Sequence, residues 1–503
     1  MSESIGGALF IRIDPRGRAS LQTQIYGSIR RAILDGVVAP GSRLPSSRVL
    51  AADLGVARIT TVLAFDQLVA EGYLTTRKGS GTFVTRELPD DRLRAPAVTH
   101  PSTVRPPVLS RRGKALAATP RPALKIDGPP RAFRLGTPAL DRFPIHIWTR
   151  LANRRLKSMT LTQLDYGPSA GVPALREAIA EHVRRARGTA CVADQVIVVA
   201  GAQHGLELIS RVLLDPGDLA LVEEPGYTGA HTALLGAGAR IGHVRVDSQG
   251  LNVAAARPAD RARLVYVTPS HQFPLGVPMS LPRRLALLAW ARAASAWVIE
   301  DDYDSEFRYG TRPIPCLHGL DVDGRVIYVG SFSKTLFPAL RLGFLIVPLD
   351  VRDAVVGARR AGDIHSGLLD QAVLADFIAE GHFERHLRRM RSEYHERLDA
   401  LVRAAARHGR GALKLRPVVT GLHAVADLAS VDDARVCQEA RSRGVEVMPL
   451  SAYCFDRRRP PTQGLVLGFG AIRPELFDDG MRRLAAAIEA ARRQPRKPRR
   501  RLS

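Results

Sequence analysis

Acidic residues are scarce in this chain of 503 residues. Asp and Glu number 49 against 73 Lys and Arg, a formal charge of +24. Such a surplus suits a polyanionic partner, although an arginine-rich composition does not by itself assign DNA binding. Cysteine is rarer still. Cys191, Cys316, Cys437 and Cys454 stand far apart with no CxxC pair, which argues against a disulfide framework and a cysteine zinc site and fits a reducing cytoplasm. Long apolar runs are missing too. The stretch 285–299 comes nearest, and Arg292 interrupts it, so no membrane-spanning helix is expected. The first residues, Met1 to Ala8, lack a basic region followed by an apolar core, so a secretory signal is not expected either. What remains is an ordinary globular composition, 45% hydrophobic, in a chain too long for one core.

Periodicity divides the chain. Ile25, Ile29, Ile33 and Leu34 repeat at helical spacing, and Gly36 with Ala39-Pro40-Gly41 closes that helix. A second helix starts near Ser46 or Ser47, both good N-caps, and ends at Gly55. A third runs from about Arg58 to Gly72. Tyr73 to Thr76 and Thr82 to Thr85, joined by Lys78-Gly79-Ser80-Gly81, form a hairpin pattern. Residues 12–86 are therefore expected to be a winged helix-turn-helix, mainly α with a β wing. Nine prolines between Pro89 and Pro130 predict a linker over 87–130. Over 131–491, short apolar strands at 196–199, 219–222, 264–267, 297–299 and 326–329 alternate with amphipathic helices. That order predicts an α/β domain with a largely parallel sheet and a ligand site at the strand C-terminal ends. Residues 492–503 form a basic tail.

The run Arg43-Leu44-Pro45-Ser46-Ser47-Arg48, then Leu54-Gly55-Val56-Ala57-Arg58-Ile59-Thr60-Thr61, then Glu71-Gly72-Tyr73-Leu74 and the Lys78–Val84 turn resembles the GntR family of bacterial regulators over nearly all of 20–85. Arg58, Thr60 and Thr61 stand at the start of the third helix, where a recognition helix meets base edges. Arg48 is expected to reach the same groove, and Lys78 beside Gly79 suits a phosphate or minor-groove contact. Ala57 and Ile59 occupy places where that family usually carries polar residues, so operator preference is expected to differ.

Downstream, Ser331-Phe332-Ser333-Lys334-Thr335, with Arg341 and Gly343 beyond it, presents one lysine among small hydroxyl residues. A Schiff-base lysine is offered to a phosphorylated aldehyde in this way. This half resembles fold-type-I pyridoxal-phosphate (PLP) aminotransferases, and the whole chain resembles the MocR subfamily of GntR regulators. The resemblance implies that Lys334 holds PLP and that Asp301 faces the pyridine nitrogen, with Asp302 the competing choice. Tyr303 is then expected to meet the phenolic oxygen, and Tyr227 to stack on the ring. Gly201, Ala202, Gln203, Ser331 and Arg341 would cradle the phosphate. Tyr166 would reach it from a neighbouring subunit, implying a homodimer, and His271 or Gln272 would replace a missing polar contact. Where such aminotransferases carry an arginine for the substrate carboxylate, this chain has Val466, with Arg473 nearby but outside the motif. The expected function is a cytoplasmic PLP-binding transcriptional regulator that binds operator DNA. Its expected effector is PLP, an amine or an amino acid, and its targets are vitamin B6 or amine metabolism genes. The alternative is an active aminotransferase with an appended DNA reader. His382, Glu384 and His386 have the wrong order for a zinc motif and are expected to be ordinary helix-surface residues. No metal site is expected.

Overall fold

A computed structural model describes residues 11, 13–15, 17, 19–88, 108–119, 128–256, 262–310, 315–409, 411–429, 431–456 and 462–493. Two compact units divide the chain, residues 1–107 and 108–503.

In the first unit, α1 (Leu21–Leu34), α2 (Ser47–Leu54) and α3 (Arg58–Ala70) are followed by an antiparallel hairpin, β1 (Leu74–Arg77) and β2 (Gly81–Val84). Local chemistry sets the boundaries. The Ser46 hydroxyl accepts the Val49 N–H at 3.3 Å, capping α2. Ile25, Ile29 and Ile33 share one face of α1 and are buried against Leu50, Ala64, Phe65, Leu68, Leu74 and Val84. Each such side chain contributes about 1.5–3 kcal/mol of burial, which makes this small unit a closed core.

The second unit is built on an eight-stranded sheet of order β3-β10-β9-β8-β7-β4-β5-β6. Its strands are β3 (Val196–Val199), β4 (Leu219–Glu224), β5 (Arg240–Asp247), β6 (Gly250–Leu251), β7 (Ala262–Val267), β8 (Trp297–Asp302), β9 (Val326–Ser331) and β10 (Gly343–Ile346). The pairings among β5, β4, β7, β8 and β9 are parallel. β10 runs antiparallel to both β9 and β3, so β3 recovers the direction of β9. The C-terminal ends of β3, β9, β8, β7 and β4 consequently open on one edge, where such sheets place their ligands. A second, antiparallel sheet of order β11-β12-β14-β13 comprises β11 (Leu413–Leu415), β12 (His423–Leu428), β13 (Met448–Pro449) and β14 (Leu465–Gly468).

Two expectations need correction. Within the stretch read as linker, residues Arg111–Ala117 form a helix that the Ser110 hydroxyl caps. It rests on the second unit, with Arg112 donating to the Gly236 carbonyl at 3.3 Å. Arg492 and Arg493, assigned to the tail, end the helix Phe477–Arg493; residues 494–503 lie outside the described residues, as do 89–107 and 120–127 of the linker.

Candidate functional site

At the open edge of the large sheet, a cavity of about 360 Å³ is lined by residues from strands and loops far apart in sequence. Each strand delivers a polar group at its C-terminal end. β8 supplies Asp301. Period-2 alternation sends the next residue to the opposite face, and there Asp302 is spent on Arg187 at 2.7 Å and the Tyr328 hydroxyl at 2.6 Å. Asp301 and Asp304 both line the cavity, and Asp304 is engaged by His271 Nδ1 and the Leu422 N–H, which leaves Asp301 as the acid with an oxygen to offer. Its Oδ2 accepts from the Tyr266 hydroxyl at 2.7 Å, while its Oδ1 is buried without a hydrogen-bond partner. Burial pushes its carboxyl up to about 7, against the Tyr266 hydrogen bond. A buried, half-satisfied carboxylate oxygen facing a cavity is the partner that a protonated ring nitrogen requires.

Lys334 follows β9 and reaches the same cavity, where its Nζ donates to the Gly136 carbonyl at 2.6 Å. Desolvation lowers its pKa, offset in part by Asp304 and Asp301, which raises the neutral fraction of a nucleophilic amine. Gly136 has φ +78, and a Cβ there would lie 3.0 Å from the lysine Nζ. After β3 the chain turns at Gly201, φ +89, into the helix Ala202–Leu213. A Cβ on Gly201 would meet the Arg341 guanidinium at 3.1 Å, and Arg341 Nη2 donates to the Ala200 carbonyl at 2.6 Å. The free N–H groups of that helix start, with Ser331, Ser333 and Arg341 beside them, form an anion cradle. Tyr227 closes one side, its hydroxyl 3.3 Å from Gln203 Oε1.

Thus Ala202, Gln203, Tyr227, Asp301, Tyr303, Ser331, Lys334 and Arg341 line one cavity, with Gly201 behind Arg341. Tyr166, expected at the cavity of a neighbouring subunit, is 77% exposed and lies against the His365 ring. One residue expected at this chain's own cofactor, His271, does not line the cavity. His271 is buried behind Tyr303, which donates to the His271 carbonyl at 2.8 Å. His271 Nδ1 lies 3.0 Å from Asp304, and Gln272 is spent on Glu223 and the Pro225 carbonyl. His271, Asp304 and His423 lie close enough to share an ion, but Asp304 and one ring nitrogen of each histidine are already engaged. Asp304 accepts the Leu422 N–H, and His423 Nε2 meets the Pro274 carbonyl at 3.0 Å. Another correction concerns His386. Rather than lying on a helix surface, it is buried and its Nε2 is 3.0 Å from the Thr335 carbonyl, bracing the residue after Lys334.

Part of the cavity wall is apolar. Leu135, Phe273, Met448 and Tyr453 line it, with Val466 of β14 fully buried in the same cluster. Arg473 pairs with Asp141 at 3.4 Å instead of reaching the cavity. Sequence reading missed this wall and Gly136, because nothing local marks residues that converge only through the fold.

On the first unit, Arg48, Arg58, Lys78 and Gly79 are exposed and Thr60 is half-buried. Thr61 leaves the expected reading set: it is fully buried, and its hydroxyl donates to the Ser47 and Arg58 carbonyls, both at 2.9 Å.

Comparison with known proteins gives the same division. The family described as Bacterial regulatory proteins, gntR family, matches residues 21–84, and Aminotransferase class I and II matches residues 134–460. The α-aminoadipate aminotransferase LysN of Thermus thermophilus, complexed with N-(5'-phosphopyridoxyl)-L-leucine, aligns with TM-score 0.66 at 28% identity, over 71% of this chain and 92% of its own. Fold and cavity therefore define a fold-type-I aminotransferase-like domain whose cofactor is PLP, carried behind a winged-helix DNA reader. Full-length relatives share both parts. The "Probable rhizopine catabolism regulatory protein MocR" of Rhizobium meliloti is 41% identical over 95% of this chain and 96% of its own length. The "HTH-type pyridoxine biosynthesis transcriptional regulator PdxR" of Corynebacterium glutamicum is 36% identical over 92% and 94%. The chain belongs to the gntR family of bacterial regulators, in its MocR-type branch, and is a PLP-containing, DNA-binding transcriptional regulator.

Proposed function

We propose that this regulator senses a small amine, or PLP itself, and controls genes of amine or vitamin B6 metabolism. Lys334, Asp301, Tyr303 and the Gly201–Gln203 cradle would hold the cofactor, and Tyr227 would lie against its ring. When bound, PLP supplies an aldehyde for amine capture and an electron-withdrawing ring. Asp301 would hold a negative charge for the ring nitrogen, and the Lys334 amine would give and take the proton at Nζ.

One observation carries the effector reading. Among the described lining residues Arg341 is the sole guanidinium, and it sits at the turn after β3, while Leu135, Phe273, Met448 and Tyr453 make part of the wall apolar. Among the described residues no second guanidinium offers a bidentate grip on an α-carboxylate, which favours an amine without one. The relatives' names, rhizopine catabolism and pyridoxine biosynthesis, point to the same two effector classes. A homodimer would present two readers to two operator half-sites. Effector binding would change DNA affinity only through its differential affinity for the two states. The second reading, a working aminotransferase, draws on the complete Lys334, Asp301 and Tyr227 set.

Two measurements on the full chain decide between them. Operator affinity, read at fixed salt with and without PLP and amines, is expected to respond. Coupled transamination of common amino acids is expected to be weak or absent. Turnover of about 1 per second or faster, together with DNA binding indifferent to PLP and amines, makes the chain an enzyme first.

A further inference from the structure

The DNA-reading unit has a complete core, yet it leaves large apolar side chains in water on its outer face. Ile59 is 61% exposed, Val49 51% and Leu63 45%. Thr61, Ala64, Phe65 and Leu68 turn α3 inward. Ile59 and Leu63, one turn apart, stand together on the other side of the helix. Ile59 lies in the first turn, immediately after the exposed Arg58, and the first turn of a recognition helix is the part that meets base edges.

We propose that Ile59 reads the 5-methyl group of a thymine in the major groove of the operator. An isoleucine offers neither donor nor acceptor. Of the features that base pairs show in the major groove, the thymine methyl is the apolar one. Packing against it removes both methyl and side chain from water. A G·C pair in the same place would lose a hydrogen-bonding edge to a side chain that cannot replace the water. Ile59 thus makes the first turn a composite reader, with a cation at Arg58 for an acceptor-rich edge and a methyl-seeking surface beside it. The inference rests on the DNA-binding role of this unit and is independent of the effector.

In vitro selection from a random-sequence duplex library, with the full chain at fixed salt, supplies the probe. Thymines of the selected duplex are then replaced one at a time by deoxyuridine, which differs by the methyl alone. At one position the replacement is expected to weaken binding about fourfold, the contribution of one buried methyl. Ile59→Ala is expected to bind both duplexes equally, while Arg58→Ala weakens binding overall and keeps the deoxyuridine effect. Selection with Ile59→Asn is expected to change preference at that base pair, toward adenine, which asparagine pairs bidentately. Because Ile59 is exposed, these variants leave the core intact. The proposal is overturned if no deoxyuridine weakens binding, or if Ile59→Ala keeps the full deoxyuridine effect. An unchanged selected sequence for Ile59→Asn overturns it as well, including the case in which Ile59→Ala alters only the oligomeric state.

Discussion

Asp301 carries a definite pH signature. Burial holds its carboxyl up to about 7, so its ionised form is penalised in the cofactor-free protein as pH rises from the ordinary carboxylate range through 7. A ring N–H placed against the orphaned Oδ1 would remove that penalty and draw the pKa back down. Cofactor binding is therefore expected to release a proton below about pH 7. Affinity is expected to rise with pH by up to about a decade per unit there and to level off above. Pyridoxamine 5′-phosphate is the suitable probe, because it has no aldehyde and leaves Lys334 out of the titration. Its phosphate also titrates near pH 6, so the measure is the excess slope over Asp301→Asn; equal slopes would remove Asp301 from the ring nitrogen. The reader gives a second contrast between neighbours. Arg58→Ala is expected to cost about 1–3 kcal/mol of base discrimination, measured as the ratio of specific to non-specific affinity. Thr61→Val instead removes a hydroxyl that donates to the Ser47 and Arg58 carbonyls. It is expected to lower stability by about 1 kcal/mol in urea unfolding without moving the preferred sequence.

Elements were legible where the signal is local. Ser46 and Gly55 bracket α2 as a cap and a left-handed stop, and the Ile25, Ile29, Ile33 stripe marks α1. The glycine-rich turn after Arg77 joins the two strands of the wing. The strands of the large sheet stood out as short apolar runs because both their faces are buried. Four lay within the strands found, and the run at 196–199 spans β3 itself. Direction was not legible: β10 reverses the sheet between β9 and β3 through pairings that no single segment records. The helix Arg111–Ala117 was hidden for a related reason. Proline content dominates its surroundings, and its partner, the helix Thr228–Ala237, is remote in sequence. Site residues on motifs were readable, namely Lys334, Arg341, Asp301 and Gly201. Those that reach the cavity through tertiary packing, Leu135, Met448 and Tyr453, were not. The Ser46 cap offers a test at this scale. Ser46→Ala is expected to cost the reader about 1 kcal/mol, seen as a lower urea midpoint of the first unit, while the PLP absorbance band stays unchanged.

Two cores in one polypeptide decide how the whole molecule unfolds. The described apolar cluster of the first unit draws only on residues 11–88, and those of the second begin at 132. Ile29 is fully buried in the first. Ile29→Ala removes a core side chain at an expected cost of about 2–5 kcal/mol, a large part of what so small a core can hold. PLP at a hundredfold excess over its dissociation constant adds about 2.7 kcal/mol to whichever unit binds it. Scanning calorimetry of the full chain without DNA is therefore expected to show two separable transitions. Ile29→Ala shifts one of them, and PLP shifts the other. With operator DNA present the reader's transition rises, and a regulator that couples its sites must then show PLP moving that transition too. Reciprocity fixes the size of the effect, since PLP can change DNA affinity only by the factor through which DNA changes PLP affinity. A reader transition that PLP moves in the absence of DNA would mean that the two units are coupled before the operator is met. A transition that PLP leaves in place even on the operator would remove the cofactor from the control of DNA binding.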